Sequence, residues 1–399
     1  VSGLLTPGSH RAARLADDRA VLTALLRVET AWARVLAQAG AVPPEQAEAV
    51  ERTAAVLKVD LNALAAATEA AGNPVVPLLA VLREACGDAA PAVHRGLTSQ
   101  DVMDSALMLI GRASVARVRA DLVTAGDDLA ARARLHRDDV TVARTLSQWA
   151  VPTTFGLRCA QWLTGIGEAV TRLDTLVYPV QYGGAGGTRA LGTEITSRAD
   201  QSALAETFAA LLGLSPAGIG WHTRRAAVTG IGDALTRVTD ALGVVANGTV
   251  LLGRPEIGEV REGRAPGRGG SSTMPHKQNP VLGILIRSAA LQAPALAHQL
   301  HAAAAGAVDE RPDGSWHAEW PVFTRLCELT AVAASQAADL VPGLVVDVDR
   351  MRERAHAAGG DLLSERGPGS AEPGSYLGEA SLLVDAAVTA WQAVRDRRR

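Results

Sequence analysis

The sequence predicts an all-α chain, with three regions arranged around a central bundle of long helices. Three observations carry that prediction. Ala, Leu and Val dominate while aromatic residues make up only 3%, a mixture suited to helices packed closely through small side chains. Apolar residues recur at steps of three and four over runs too long for strands. No strand-type alternation of useful length is seen, so neither a βαβ unit nor a barrel is expected.

From about Arg19 to Ala39, the residues Val21, Leu25, Val28, Trp32, Val35 and Leu36 keep helical spacing until Gly40 and Pro43-Pro44 stop the run. Short helices punctuated at Gly72-Asn73-Pro74 and Gly87-Asp88 follow, and residues 1–97 are read as an N-terminal capping domain. After Thr98-Ser99-Gln100-Asp101 the chain reaches Asp139 without a proline, as one long helix. Further long runs are expected from about Phe155 to Tyr178, Val281 to Ala305 and Val322 to Leu340. The clearest stripe lies between Arg224 and Leu252, where Val228, Ile231, Leu235, Val238, Leu242 and Val245 line one face. Pro294 should kink the helix that holds it. Such lengths imply a bundle across residues 98–340, with a loop at 262–280. Residues 341–399 form a small C-terminal region, broken by a Gly/Pro/Ser-rich stretch at 367–375 and closed by a helix from about Tyr376 to Arg395. The Gly183-Gly184-Ala185-Gly186-Gly187-Thr188 run lacks the strand, spacing and lysine of a phosphate loop and reads as a turn between long helices.

Composition narrows the function. A chain of 399 residues buries a large core. A net charge of −3 with 20% charged residues leaves no footprint for nucleic acid or an anionic membrane, and the tail Arg395-Asp396-Arg397-Arg398-Arg399 is too short to change that. No apolar run approaches the roughly 18 residues that span a bilayer, and the N-terminus shows no signal pattern, so a soluble cytoplasmic protein is expected. Cys86, Cys159 and Cys327 sit among apolar neighbours, as buried thiols in a reducing compartment do. No metal-ligand spacing is found.

The densest chemistry lies in Gly269-Gly270-Ser271-Ser272-Thr273-Met274-Pro275-His276-Lys277-Gln278-Asn279-Pro280. A serine serves as a base only if its proton becomes easier to lose by about four units, roughly 5–6 kcal/mol. Gly267, Gly269 and Gly270 permit positive φ and a nest of N–H groups for an oxyanion. Lys277 adds a full charge, Met274 and Pro275 supply stiff apolar walls, and Asn279 offers donors to a carboxylate.

Two further blocks carry polar groups. In His94-Arg95-Gly96-Leu97-Thr98-Ser99-Gln100-Asp101, a hydroxyl of Thr98 or Ser99 caps the long helix and Asp101 complements its dipole, while the same helix start offers donors to an anion. The second is Arg144-Thr145-Leu146-Ser147-Gln148-Trp149-Ala150-Val151-Pro152-Thr153-Thr154-Phe155-Gly156, read as polar groups ahead of a helix. Arg144 is either a partner for a substrate carboxylate or an ion-pairing residue.

The glycine-rich loop resembles the signature G-S-S-x-M-P-x-K-x-N-P of the fumarase/aspartase superfamily, and the other two blocks resemble its remaining signature regions in the same chain order. The Gln181–Thr188 turn, Trp221-His222-Thr223-Arg224-Arg225 and Trp316-His317-Ala318-Glu319-Trp320 are similar to the bacterial 3-carboxy-cis,cis-muconate cycloisomerases of that superfamily. The adenylosuccinate lyase branch typically has histidine where Leu146 stands. The resemblance implies cofactor-free addition or elimination beside a carboxylate, on a small polycarboxylate, in a homotetramer whose sites are shared between subunits. Ser271, which family correspondence favours over Ser272 as base, is joined in the implied catalytic set by Ser272, Lys277, His94 and His317. Thr98, Ser99, Gln100, Arg144, Thr145, Gln148, Met274, His276 and Asn279 are the implied substrate contacts. The cycloisomerases usually carry histidine at the position of Trp149, so an elimination lyase on a substituted succinate is kept beside the cycloisomerase reading, and a catalytically inactive bundle protein is the non-enzyme alternative.

Overall fold

The computed structural model describes residues 3–198, 200–367 and 372–397. Residues 368–371 of the Gly/Pro/Ser-rich stretch and the last two arginines of the tail lie outside them. Helix α1, Asp18–Gln38, starts where Asp17 accepts the Ala20 N–H, and it buries Leu25, Val28, Trp32, Val35 and Leu36 on the face that the spacing predicts. Helix α2, Pro44–Val56, opens on a proline whose missing N–H costs nothing there. Helix α3, Leu61–Ala71, is capped by Asp60 and ended by Gly72 at φ 73°; α4, Val75–Cys86, stops at Gly87.

Helix α5, Ser99–Leu135, is the long proline-free run. The segment that follows overturns an expectation. Strands β1, Val140–Thr145, and β2, Gln148–Thr154, pair antiparallel with Arg144 opposite Trp149 and Thr145 opposite Gln148. Leu146 and Ser147 make the two-residue turn, both with positive φ (48° and 67°). Hairpins of this kind are signalled by Asn-Gly or Asp-Gly; Leu-Ser carries no such signal, and Pro152 within β2 argues against a strand.

Helix α6, Phe155–Asp174, is capped by Thr154, whose hydroxyl accepts the Leu157 N–H. The glycine turn leads into α7, Ala190–Thr196, and α8, Ser202–Leu212. Helix α9, Ala226–Leu252, buries the full predicted stripe. Strand β3, Val260–Glu262, precedes the glycine-rich loop, and α10, Val281–Ala305, has the expected bounds with Pro294 inside. Helix α11, Gly314–Leu340, begins earlier than predicted, because Pro321 is accommodated within it rather than marking its start. Strand β4, Leu344–Val346, pairs antiparallel with β3, and α12, Val348–Ala358, and α13, Ala380–Asp396, complete the chain.

The chain packs as two compact units, each assembled from three segments. Unit 1 comprises Val1–Ala116, Leu176–Asp233 and Ala295–Glu328. Its core centres on Trp32, whose ring meets Tyr182 at 4.7 Å and Phe208 at 5.1 Å and whose indole N–H reaches the Arg95 carbonyl. Unit 2 comprises Arg117–Thr175, Ala234–Pro294 and Leu329–Arg399. There α13 packs on α6, and buried Trp391 donates to Asp127 at 2.8 Å. Among the described residues α10 is the one helix long and apolar enough to cross a bilayer by length and composition, although the sequence was read as having no such run. Arg287, Gln292 and Pro294 interrupt its apolar character.

Candidate active site

In unit 1 the first turn of α5 is held by a carboxylate at its own third position. Asp101 is fully buried and accepts four hydrogen bonds: from the N–H groups of Thr98 (3.1 Å), Gly183 (2.9 Å) and Gly184 (2.9 Å), and from His222 Nε2 at 2.9 Å. This corrects the expected cap. The side-chain bond runs from Asp101 back to the Thr98 N–H, and the Thr98 hydroxyl instead accepts from Arg311. The N–H groups of Ser99 and Gln100 meet no protein acceptor among the described residues, so the positive end of a 37-residue helix stays open.

One turn along α5, Asp104 grips Arg225 in a two-pronged pair at 2.7 and 2.9 Å and also accepts from Trp316 Nε1 and Gln181 Nε2. The far side of the guanidinium meets Glu319 at 2.6 Å. Burial works against the Arg225 charge, but Asp104 and Glu319 outweigh it and hold the group above its ordinary value. This network pins α5, the start of α9 and α11, and through them Thr98 and Ser99.

In unit 2 the signature loop is a pinned stem with an open tip. Asn279 donates through both its backbone N–H (2.8 Å) and its side-chain amide (3.1 Å) to the Gly269 carbonyl, and Gln278 donates to the Arg268 carbonyl. Gly267 and Gly269 take positive φ of 72° and 77°, whereas Gly270, expected to do the same, does not and bridges to Gln278. A Cβ on Gly269 would run into the Gln278 amide and the Asn279 carbonyl. At the tip the Ser271 Oγ accepts the Met274 N–H at 3.1 Å and the Thr273 N–H at 3.4 Å. The donors at Ser271 Oγ thus come from the turn that follows it, not from the N–H groups of Gly267, Gly269 and Gly270 of which a nest was expected. Ser272, Met274, His276 and Lys277 are exposed around it. Glu262 accepts the Leu282 and Gly283 N–H groups and anchors the far end of the loop to α10.

The β1–β2 hairpin carries the other block. Thr145, Gln148, Leu146 and Trp149 are exposed at its tip, with Trp149 at 47%. Arg144 does not join them. Its guanidinium is locked to buried Glu259 at 2.6 and 3.1 Å, the ion pair that was one of its two readings.

The histidines divide. His94, at positive φ, is bound through Nδ1 to buried Glu29 at 2.7 Å. His317 faces the carbonyls of Asp313 and Gly72 with its two ring nitrogens (2.8 and 2.7 Å). His222 and Arg311 were not among the residues singled out from sequence. Trp221-His222-Thr223-Arg224-Arg225 was noted only as a likeness, and nothing about Arg311 in its loop marks it until the fold brings it to Thr98. Burial pushes the thiols of Cys159 and Cys327 up to about 12, which keeps both protonated.

This mostly helical fold, with a serine-bearing loop on a pinned glycine stem, is that of an enzyme of the lyase class. Residues 8–294 match the family described as Lyase, and the chain belongs to it, within the fumarase/aspartase superfamily. It is 43% identical over 379 residues to nitrosuccinate lyase of Streptomyces davaonensis, covering 92% of this chain and 79% of the relative. It is 38% identical over 375 residues to 3-carboxy-cis,cis-muconate cycloisomerase of Bradyrhizobium diazoefficiens, covering 92% and 82%. The fold matches the crystal structure of the 3-carboxy-cis,cis-muconate lactonizing enzyme of Pseudomonas putida with a TM-score of 0.86 at 32% identity, over 98% of both chains.

Proposed function

We propose that this enzyme eliminates a weakly basic leaving group from a 2-substituted succinate, with nitrosuccinate as substrate and fumarate and nitrite as products. Trp149 carries the reading. Where relatives of the cycloisomerase type usually present an imidazole, this hairpin presents a half-exposed indole with nothing to titrate. A leaving amine or alkoxide requires a proton from a general acid, whereas nitrite departs as a stable anion without one. The 43% identity to a nitrosuccinate lyase supports the same choice.

In this reading Ser271, as alkoxide, takes a proton from the methylene beside the distal carboxylate. The electrons of that C–H bond pass into the carboxylate as an aci dianion, held by Ser272, Lys277, Asn279, Thr98 and Ser99. Collapse of the dianion forms the carbon–carbon double bond and breaks the carbon–nitrogen bond. Nitrite leaves with that electron pair, and Ser271 returns its proton to solvent. The sequence of steps balances without a redox partner or cofactor.

The cycloisomerase reading stays second, on the strength of the 38% relative and the Pseudomonas fold match, because a carboxylate is also a weakly basic leaving group in the lactone-opening direction. Purified enzyme incubated with nitrosuccinate is expected to release nitrite and fumarate in equal amounts, and to leave the ultraviolet absorbance of 3-carboxy-cis,cis-muconate unchanged. Loss of that absorbance without nitrite release transfers the assignment to the cycloisomerase. Turnover of neither substrate by folded protein revives the inactive-bundle alternative.

The same reading includes a cytoplasmic homotetramer whose sites draw the three blocks from different subunits. Val244 and Leu251 on α9 and Ile284 and Leu291 on α10 stand 41–82% exposed, an apolar surface that a lone chain leaves in water. Light scattering is expected to give four chains per particle; a monomer at assay concentration sinks the shared-site arrangement.

A further inference from the structure

We propose that Arg158, with Arg144 beside it, forms a binding site for a small tetrahedral oxyanion at the base of the β1–β2 hairpin, separate from the residues given roles in the elimination. The site lies wholly in unit 2. Arg144 on β1 and Arg158 in the first turn of α6 converge on one neutral acceptor, each donating to the Val142 carbonyl at 3.4 Å. Among the described residues a single carboxylate pairs with arginines here. Buried Glu259 takes Arg144 in a two-pronged pair at 2.6 and 3.1 Å, and Arg354 of α12 brings its Nε within 3.7 Å of the same group. That Nε is buried and forms no hydrogen bond. Because α12 lies on β1 through Val142, Ala355 and Leu362, three guanidiniums crowd the one carboxylate. Arg158 has no ion pair of its own among the described residues, and Glu259 reaches it only through space.

Titration cannot relieve this crowding, since a guanidinium keeps its proton. Burial, and after it the charge of Arg144, push Arg158 below its ordinary value. Of the two groups that oppose them, Glu259 already carries Arg144, and Cys159 is a thiol pushed up to about 12 that brings no negative charge near neutral pH. Arg225, gripped by two carboxylates, stands above its ordinary value instead. The positive end of α6 adds to the imbalance at Arg158, although that helix offers no open donors: the Phe155, Gly156 and Leu157 N–H groups go to the Asp139 carbonyl, the His136 carbonyl and the Thr154 hydroxyl. The Arg158 side chain does have open donors. It is partly exposed, and its Nε and Nη1 meet no acceptor among the described residues yet are not sealed in protein.

A phosphate-like anion fits both features. Its charge offsets the surplus of two guanidiniums over the carboxylate, and its several oxygens can meet two forks at once, where a neutral carbonyl meets each with one long bond. Such an anion ties β1 to α6 beneath the hairpin whose tip carries Thr145, Gln148 and Trp149. A free ion and the phosphate end of a small ester share this chemistry.

The test needs no substrate and is therefore independent of the reaction reading. Inorganic phosphate is titrated into the full-length parent, Arg158→Gln, Arg158→Lys and Arg352→Gln by calorimetry at constant ionic strength. Arg352→Gln removes the same charge from an exposed position of α12. The parent is expected to bind one phosphate per chain, Arg158→Gln to weaken that binding by about tenfold or more, Arg158→Lys to fall between, and Arg352→Gln to match the parent. In buffer free of phosphate and sulfate, Arg158→Gln should melt no lower than the parent, because the charge it removes is a repelled one; added phosphate should then raise the parent above it. Hydrogen exchange across residues 140–154 should slow with phosphate in the parent and not in Arg158→Gln. Glycerol 3-phosphate forms a second arm: Arg158-dependent binding of it assigns the site to phosphate esters, and binding of phosphate alone assigns it to the free ion. Absence of phosphate binding by the parent overturns the proposal, as do unchanged affinity in Arg158→Gln and an equal loss in Arg352→Gln, which marks general charge screening. So does an Arg158→Gln protein that melts below the parent by the same margin with and without phosphate, the mark of a purely structural arginine.

Discussion

Replacing Ser271 by alanine is expected to lower kcat by about 10³–10⁴-fold and to leave KM within about threefold, the pattern of a lost group that acts in the transition state. The geometry makes the expectation specific to one of two adjacent serines. The Ser271 oxygen already receives the N–H groups of Met274 and Thr273, so in the proposed reaction its alkoxide meets two donors built into the turn. Ser272 is exposed at the same tip, and no backbone donor converges on its oxygen among the described residues. Ser272→Ala is therefore expected to cost about 10–10²-fold, as the loss of one stabilising donor does. Stopped-time assays of nitrite release on both variants, at several substrate concentrations, separate kcat from KM. If Ser271→Ala retains more than about a tenth of parental kcat while Ser272→Ala does not, the base has been assigned to the wrong residue.

The family was legible in the sequence because the serine loop is a dense local pattern, and the long helices were legible because periodicity accumulates over many turns. What the sequence hid is long-range or lacks a local marker. The β1–β2 hairpin turns through Leu146-Ser147, residues that announce no such turn, so the sequence there points only to polar groups ahead of a helix. Arg144 carried two readings until the fold delivered Glu259 to it. Asp101 was seen as a dipole-complementing residue, and only folding brings the Gly183-Gly184 turn and His222 onto its oxygens. The Gly183–Thr188 run, dismissed as a phosphate loop, thereby gains a physical role: its first two N–H groups hold the carboxylate that organises Thr98. Arg311 has no sequence pattern at all, and only the fold brings it to Thr98.

The largest loss of stability is expected at Arg225. Asp104 and Glu319 are both buried, and each depends on the single guanidinium between them. Removing it in Arg225→Ala strands two carboxylates away from water, a change that typically costs about 3–5 kcal/mol because the charges left behind have no partner. Trp316 Nε1 and Gln181 Nε2 still reach Asp104, but neither brings a positive charge. Arg225→Lys should recover only part of the loss, since one ammonium cannot serve both carboxylates with the paired geometry of the fork. The expected order in denaturant midpoint is parent, Arg225→Lys, then Arg225→Ala, and activity should fall in the same order, because the network ends one turn from Thr98. A loss below about 1 kcal/mol in Arg225→Ala would mean that water or a relaxed backbone reaches the two carboxylates, and the rigid placement of the α5 start could no longer be attributed to this triad.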